Sequence, residues 1–150
     1  MPCLRDFLGA ARAASFLITL GTGSGHDTIA YILDHLDLRR YFDVVVGKDD
    51  VPKVKPHPDI YTVTAQKLGI PPEQCLVFED ALLGEQAAYR AGMRCIGVRT
   101  ILEATDFQAP LTVIPDFTHL TPERVLELLQ EHLEAPKPDK QLAKRQYMRG

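Results

Sequence analysis

Short apolar runs alternate with amphipathic stretches along most of the chain, and this alternation constrains the fold more than any other feature. The apolar runs cover residues 16–20, 43–46, 75–78, 95–98 and, as a short edge strand, 111–114. Helical patterns cover residues 3–14, 58–68, 82–91 and 121–133, and a further helix follows Ser24. Strands alternating with helices form βαβ units, in which parallel strands are covered by helices on both faces. The pattern predicts an α/β fold with a mostly parallel sheet of about four or five strands.

Helix boundaries are indicated by residues with specific backbone preferences. Ser24 is a candidate N-cap, with Asp27 three residues later completing a capping box. Pro58 suits the first turn of a helix and Gly69 suits its C-terminal cap. On the helix after Ser24, one apolar face is predicted to contain Ile29, Ile32, Leu33 and Leu36.

The length of 150 residues fits one domain, and neither an internal repeat nor a second domain is visible. We assign residues 1–134 to this domain. Residues 135–150 contain five Lys or Arg side chains against one Asp and include two prolines. This composition predicts a basic, disordered tail. The chain as a whole has a net charge of -3, which gives no electrostatic reason to expect nucleic acid as a partner.

Cysteine content and hydropathy point to a cytoplasmic protein. Cys3, Cys75 and Cys95 show no C-x-x-C spacing, which argues against a disulfide framework and against a zinc site. No apolar run approaches the ~18 residues of a membrane span, so no membrane association is expected. The first residues lack the layout of a signal peptide.

Polar side chains follow three of the predicted strands, at the sheet edge where α/β proteins bind ligands. Thr22 offers a hydroxyl beside the start of a helix, an arrangement that suits a phosphate. Lys55 offers a positive charge for phosphate oxygens. Glu79 and Asp80 offer hard oxygen ligands of the kind that Mg²⁺ prefers. Together these residues predict a site for a phosphate and a hard cation.

Three segments resemble motifs of the haloacid dehalogenase superfamily. The run Gly21–Ser24 resembles its second motif, and Lys55–Asp59 resembles its third motif, Lys-Pro-x-Pro-Asp. The run Val77–Met93 resembles the fourth motif over its whole length. The resemblance covers about residues 2–133 and is strongest to the β-phosphoglucomutase-like and fructose-1-phosphate phosphatase-like members. It implies a Rossmann-like core and a small phosphorylated substrate.

The resemblance also implies roles for individual residues. Thr22 would hold the transferring phosphoryl group with help from the Gly23 amide. Lys55 would neutralise charge and orient the nucleophile. Asp80 would bind Mg²⁺, with Glu79 as a direct or water-mediated helper.

The five histidines are weaker candidates. His26 begins the helix after Thr22 and is placed among the phosphate-binding residues, although a structural role there is the simpler interpretation. The same holds for His57 beside Lys55. We expect His35, His119 and His132 at the surface.

The first motif of the family, Asp-x-Asp-Gly-Thr after an apolar strand, does not occur in the chain. In the family its first Asp is the nucleophile and a metal ligand, and its second is the general acid/base. Asp6 follows no strand and is not assigned either role. The small helical cap between the first and second motifs is also absent. We therefore expect a truncated core that is inactive alone and binds Mg²⁺ weakly.

The missing motif has a structural consequence. In the family its strand lies between the strands predicted here at residues 16–20 and 75–78. Buried unpaired backbone groups cost about 1–3 kcal/mol each. We expect the chain to pair these two strands directly, to pair its edges with another chain by self-association, or to be partly molten.

Two functions remain open, and a third is disfavoured. The first is the C-terminal core of a Mg²⁺-dependent sugar-phosphate phosphatase or phosphomutase, inactive alone. The alternative is a non-catalytic phosphate- or Mg²⁺-binding module, or pseudoenzyme, that acts through a protein partner. A dinucleotide-binding domain fits poorly, because His26 occupies the third glycine position of its fingerprint and Asp43 begins the next strand instead of ending it.

Overall fold

The structure, a computed structural model, describes residues 3–100 and 102–133. These residues form an α/β fold. The elements are α1 (Leu4–Ala13), β1 (Thr19–Gly21), α2 (His26–His35), β2 (Val44–Val46), α3 (Asp59–Leu68), β3 (Leu76–Glu79), α4 (Leu82–Arg90), β4 (Arg94–Val98), β5 (Thr112–Ile114) and α5 (Pro122–Leu133). Short 3₁₀ turns stand at Arg39–Tyr41, Lys48–Asp50, Pro72–Gln74 and Ala104–Asp106.

The strands are parallel, as predicted, but within the described residues they form two sheets. β1 pairs with β2 in one sheet, and the order in the other is β3-β4-β5. β1 and β3 therefore each keep one edge without a strand partner. Direct pairing of these two strands, one of the three expected outcomes, does not occur. A cavity of about 610 Å³ lies between them instead.

The strand bounds differ from the predicted ones mainly at β1, which begins at Thr19 and not at Phe16. The N–H of Phe16 donates to the carbonyl of Ala11 and so belongs to the end of α1. The N–H of Ile18 is taken by the carboxylate of Asp43 (2.8 Å). The N–H groups of Phe16 and Ile18 are therefore bonded to a helix end and to a side chain. Because of this, the strand that pairs with β2 begins only at Thr19.

Helices cover both faces of the strands, and each face has its own apolar core. On the face of α3 and α4 the core residues include Ile60, Ala65 and Ala88. On the face of α1 and α5 the ring of Phe7 stacks on Phe117, with centroids 5.4 Å apart. Layers of helix, strand and helix confirm the predicted architecture.

Helix ends confirm one predicted cap and correct another. Gly69 has the left-handed φ of 68° that ends α3, as predicted. The N-cap of α2 is Gly25 and not Ser24, and the α2 N-cap makes no side-chain hydrogen bond. The carboxylate of Asp49, from the turn after β2, accepts a hydrogen bond from the N–H of His26 (2.7 Å). The predicted capping box is therefore wrong, because a distant residue supplies the acceptor.

The apolar face of α2 is narrower than predicted. Ile29 and Leu33 are buried, whereas Ile32 and Leu36 are 42% and 45% exposed. The buried part of this helix is therefore limited to two positions about one turn apart.

The remaining expectations are tested only in part. Cys3, Cys75 and Cys95 are free thiols, and no helix in the described parts of the chain is long and apolar enough to cross a membrane. The predicted tail at residues 135–150 lies outside the described residues.

Candidate active site

The predicted phosphate-binding turn lies between β1 and α2. The N–H of Thr22 donates to the carbonyl of Val46 (3.0 Å), which ties the turn to the end of β2. Its hydroxyl accepts a hydrogen bond from the N–H of Ser24 (3.2 Å). Gly23 between them is exposed. The turn thus has a fixed hydroxyl and an accessible backbone at the start of a helix, where anions bind favourably.

Lys55 lies where the carboxyl ends of β1 and β3 meet. Its ammonium is 3.5 Å from the carbonyl oxygen of Gly21, the last residue of β1, and forms an ion pair with Glu79, the last residue of β3. It also lies 5.0 Å from the centre of the Tyr61 ring. The side chain of Lys55 is only 19% exposed. The fold therefore brings together the cation and the two strand ends that the sequence motifs pointed to.

Glu79 is a buried carboxylate with two partners. It is 7% exposed and accepts hydrogen bonds from the Lys55 ammonium and the Tyr61 hydroxyl. Burial raises the pKa of Tyr61, and the nearby Glu79 charge raises it further, so this phenol remains a donor at all ordinary pH values. A Cβ atom at Gly84 would overlap the Glu79 carboxylate, so a larger residue there would have to displace this carboxylate. Tyr61 was missed by sequence analysis, because a tyrosine on an apolar helix face looks like a core residue.

Asp80 lies on the other side of the strand end. Its carboxylate accepts a hydrogen bond from the hydroxyl of Thr100 (2.9 Å), which follows β4. Asp80 is half-buried and Thr100 is exposed. Thr100 was also missed, since a single threonine after a strand carries no signal in the sequence. The pair places one accessible carboxylate at the same edge as Thr22 and Lys55.

The two acidic residues differ in their fitness for Mg²⁺. Hard oxygen donors suit this cation. Asp80 has a carboxylate oxygen without a partner among the described residues, but Glu79 is already held by Lys55 and Tyr61. No group of three or more His, Cys, Asp or Glu side chains within residues 3–100 and 102–133 could hold a metal ion.

The imidazole of His26 is held by the turn after β2. Its Nε2 lies 2.9 Å from the carboxylate of Asp50, which also accepts a hydrogen bond from the N–H of Gly47 (2.8 Å). The hydrogen bond to Asp50 raises the pKa of His26. This geometry favours the structural interpretation of His26 over direct contact with a phosphate.

The other histidines lie at the surface where they are described. His57 is exposed, and its N–H donates to the carbonyl of Val54 (3.0 Å). His35 and His119 are exposed. The side chain of His132 lies outside the described residues.

The loop that carries Lys55 is held by α4. Arg90, near the end of that helix, donates to the carbonyl of Pro56 (2.9 Å). Because Pro56 directly follows Lys55, this contact fixes the backbone from which the ammonium extends. The motif at residues 77–93 therefore supplies Glu79 and Asp80 and also positions the loop that carries Lys55.

The order of these groups along the chain matches a known family. A sequence model of the haloacid dehalogenase-like hydrolases matches residues 2–98. The chain belongs to the haloacid dehalogenase-like hydrolases. The matched range includes the four predicted site residues that lie at this sheet edge, namely Thr22, Lys55, Glu79 and Asp80.

Two curated hydrolases show this relationship in sequence. Fructose-1-phosphate phosphatase YqaB from Escherichia coli K12 is 48% identical over 84 residues, which are 56% of this chain and 45% of that protein. Phosphoglycolate phosphatase from the same organism is 36% identical over 124 residues, 81% of this chain and 49% of that protein. The chain thus spans about half the length of these relatives.

A solved structure has the same fold. The β-phosphoglucomutase from Clostridium difficile superimposes with a TM-score of 0.81 at 24% identity, over 90% of this chain and 58% of that one. The Rossmann-like α/β architecture predicted for this chain is confirmed. So is the resemblance to the fructose-1-phosphate phosphatase-like and β-phosphoglucomutase-like members.

Proposed function

We propose that this chain forms the phosphate-binding part of a sugar-phosphate phosphatase or phosphomutase site. The observation that carries the proposal is the position of the Lys55 ammonium between the carboxyl ends of β1 and β3, next to the Thr22 turn. Thr22 and Gly23 would bind the phosphoryl oxygens, and Lys55 would neutralise their charge. The sugar-phosphate class is supported by the name of the fructose-1-phosphate phosphatase relative.

We also propose that the 150 residues bind phosphate without turning over an ester. The chain contains no Asp-x-Asp-Gly-Thr run, and the buried carboxylate nearest to Lys55 is held by two hydrogen-bond donors. A held carboxylate is a poor nucleophile, and charge neutralisation without an attacking group does not break the ester bond. Mg²⁺ belongs to this proposal with Asp80 as the ligand from this chain, and the resulting affinity is weak.

Phosphate binding is tested by calorimetric titration of the purified chain with inorganic phosphate. We expect Thr22→Val and Lys55→Met each to weaken binding by about tenfold, as the loss of one charge-assisted hydrogen bond would. His35→Ala, at an exposed position away from the site, is the matched control. Equal affinity in all four proteins would contradict the assignment of the site, provided that their circular dichroism spectra agree.

Turnover is tested with p-nitrophenyl phosphate and Mg²⁺, with Asp80→Asn as the control. We expect no hydrolysis above the control. Phosphate binding without hydrolysis would also be expected of a non-catalytic binding module, which is the second candidate function. The ion pair between Lys55 and Glu79 favours this second function. Hydrolysis that disappears in Asp80→Asn would show a nucleophile within the chain and would overturn this part of the proposal.

The domain boundary, location and assembly of the chain are further proposals. We propose a folded unit at residues 1–134 with a disordered tail at 135–150, which limited proteolysis would test by cleavage confined to the tail. A cytoplasmic location is supported by the free thiols at positions 3, 75 and 95.

We also propose that the chain self-associates through the strand edges of β1 and β3 that have no strand partner. Sedimentation of the purified chain would then show a species heavier than the monomer.

A further inference from the structure

We infer that the turn at residues 47–50 holds the phosphate-binding turn at residues 22–25 in place, and that a proton on His26 strengthens this hold. The inference rests on the proposed function, because it concerns the affinity of the Thr22 turn for an anion. It adds two positioning residues, His26 and Asp50, and a dependence of that affinity on pH. Neither side chain is assigned a contact with the anion, since both act through the backbone of residues 22–25.

The two turns are bonded to each other through their backbones. The N–H of Lys48 donates to the carbonyl of Ser24 (3.0 Å), and the N–H of Thr22 donates to the carbonyl of Val46 (3.0 Å), directly before the 47–50 turn. The turns also approach closely, because a Cβ atom at Gly47 would lie 2.7 Å from the Ser24 carbonyl oxygen. A shift of the 47–50 turn therefore moves the phosphate-binding turn with it.

Asp50 connects the His26 ring to the 47–50 turn. Its Oδ2 accepts a hydrogen bond from the N–H of Gly47 (2.8 Å) and lies 2.9 Å from Nε2 of His26. His26 is the first residue of α2, directly after the phosphate-binding turn, and its backbone N–H donates to Asp49 (2.7 Å). The ring and the backbone of one residue are thus bound to two neighbouring carboxylates of the same turn.

A proton on the imidazole changes the strength of this connection. The neutral ring has one N–H donor, whereas the protonated ring has two and carries a positive charge. In the protonated ring Nε2 faces Asp50 at 2.9 Å and Nδ1 faces Asp49 at 4.0 Å. Hydrogen bonds with a charged donor and acceptor are roughly twice as strong as neutral ones. The proton therefore draws the start of α2 closer to the 47–50 turn.

The surrounding charges give the effect its sign. Within the described residues, the charged groups near His26 or its partner Asp50 are Asp27 on α2, Lys48 and Asp49 in the 47–50 turn, and Lys67 on α3. The hydrogen bond to Asp50, followed by the charges of the three carboxylates, raises the pKa of His26. The strengthened hold is thus complete below the unfolded pKa of about 6.5 and is lost as pH rises through the higher folded pKa.

The test is calorimetric titration of the full chain with sulfate, a phosphate-like dianion that does not titrate near neutral pH. Measurements at pH about 5.5 and about 9 lie on either side of the His pKa. We expect the native chain to bind sulfate about fivefold more weakly at the higher pH, a change at the lower end of couplings between linked sites. By reciprocity, saturating sulfate should raise the pH midpoint of the His26 ring signals by about 0.7, the logarithm of that factor.

Asp50→Asn separates positioning from simple charge attraction. It retains an acceptor for the N–H of Gly47 and removes one negative charge near the anion. Charge attraction alone therefore predicts tighter sulfate binding by this variant. Loss of the hold predicts binding about fivefold weaker than native at pH about 5.5, with a smaller dependence on pH.

Two further variants complete the comparison. His26→Gln keeps an N–H donor for Asp50 without a titrating charge, so its sulfate affinity should be the same at both pH values. Asp34→Asn removes an exposed carboxylate, paired with Arg39, from the C-terminal half of α2. It is the matched control for Asp50→Asn and should bind sulfate as the native chain does.

Amide hydrogen exchange measures the hold without any anion. The amide of Lys48 donates to the phosphate-binding turn, so its protection reports whether the two turns stay together. At one pH we expect this amide to exchange about fivefold faster in Asp50→Asn than in the native chain. Its exchange in Asp34→Asn should equal that of the native chain.

The outcomes distinguish this inference from the proposed function. Sulfate affinity that does not depend on pH, tighter binding by Asp50→Asn, or unchanged exchange at Lys48 would each overturn the inference and leave the phosphate site in place. Absence of sulfate binding, or native affinity in both Thr22→Val and Lys55→Met, would overturn the proposed function and the inference with it.

Discussion

Glu79 and Asp80 are neighbours in sequence, yet the structure gives them different surroundings. Glu79 is the last residue of β3 and turns into the core, whereas Asp80 lies at the sheet edge. Alternation along an extended chain sends adjacent side chains to opposite sides. A buried charge is tolerated only when it is paired and hydrogen-bonded, and Lys55 and Tyr61 meet that need. Asp80 therefore remains the acid available for a ligand.

Replacing Tyr61 by Phe should measure what the buried hydroxyl contributes. Phe keeps the ring near Lys55 and removes only the donor to Glu79, so we expect a loss of about 1–3 kcal/mol in the free energy of unfolding. Urea denaturation followed by circular dichroism would measure it. The control is Tyr31→Phe, at a side chain that is 70% exposed, which should change stability little. Equal effects of the two variants would show that the hydroxyl of Tyr61 has no special role.

His26 and Asp50 form a pair that depends on pH. The hydrogen bond to Asp50 raises the pKa of His26. The pKa of Asp50 is lowered, mainly by the hydrogen bond from the N–H of Gly47 and then by the hydrogen bond from His26. The stabilising effect of the histidine is thus complete below its unfolded pKa of about 6.5 and is lost as pH rises through its higher folded pKa. The effect of Asp50 is present above its unfolded pKa of about 3.9 and is lost as pH falls through its lowered folded pKa.

We expect the His26 ring to titrate above pH 6.5 in the native chain and closer to the ordinary value in Asp50→Asn. The asparagine oxygen can still accept from the N–H of Gly47, so the turn is retained while the negative charge is removed. Proton NMR of the imidazole signals across pH 5 to 9 would measure both midpoints. Unchanged midpoints would mean that the pair does not form in solution.

At the scale of elements, the start of α2 depends on a contact between distant parts of the chain. The exposed N–H groups of a first helical turn need acceptors, and a side-chain cap contributes about 1 kcal/mol. Here the acceptor is Asp49, in the turn after β2, and not Ser24, the neighbour in sequence. This contact attaches the helix that begins beside the Thr22 turn to the loop that leads to Lys55.

We expect Asp49→Ala to lower the free energy of unfolding by about 1 kcal/mol. Ser24→Ala should leave it nearly unchanged, because its hydroxyl does not cap the helix. Thermal or urea denaturation of both variants measures the difference. A larger loss in Ser24→Ala than in Asp49→Ala would restore the capping box that the sequence suggested.

At the scale of the whole molecule, the two sheets are held together by helices and by Lys55 rather than by a continuous ladder. β4 lies between two neighbours, and its residues Ile96 and Val98 are 0% and 1% exposed. β1 has one neighbour and borders the cavity between the sheets. Regions with fewer buried contacts open at lower free energy than the global transition.

Native-state hydrogen exchange should therefore distinguish the sheets. We expect the amides of Ile96 and Val98 to exchange only on global unfolding, and the amide of Leu20 to exchange through a smaller opening of lower free energy. Measurement at increasing denaturant separates the two processes, because local openings depend on it weakly. One common free energy for all three amides would show that the sheets unfold as a unit.

Local patterns in the sequence were enough to predict the element order, the parallel strands and the end of α3 at Gly69, because periodicity and backbone preferences act over a few residues. They also selected Thr22, Lys55, Glu79 and Asp80, since side chains after parallel strands share one edge. Three features were decided only by the tertiary structure. Asp49 rather than Ser24 caps α2, Tyr61 and Thr100 hold the two acids, and β1 and β3 remain apart. Each depends on how segments that are distant in sequence pack in the fold, and such packing leaves no local signal in the sequence.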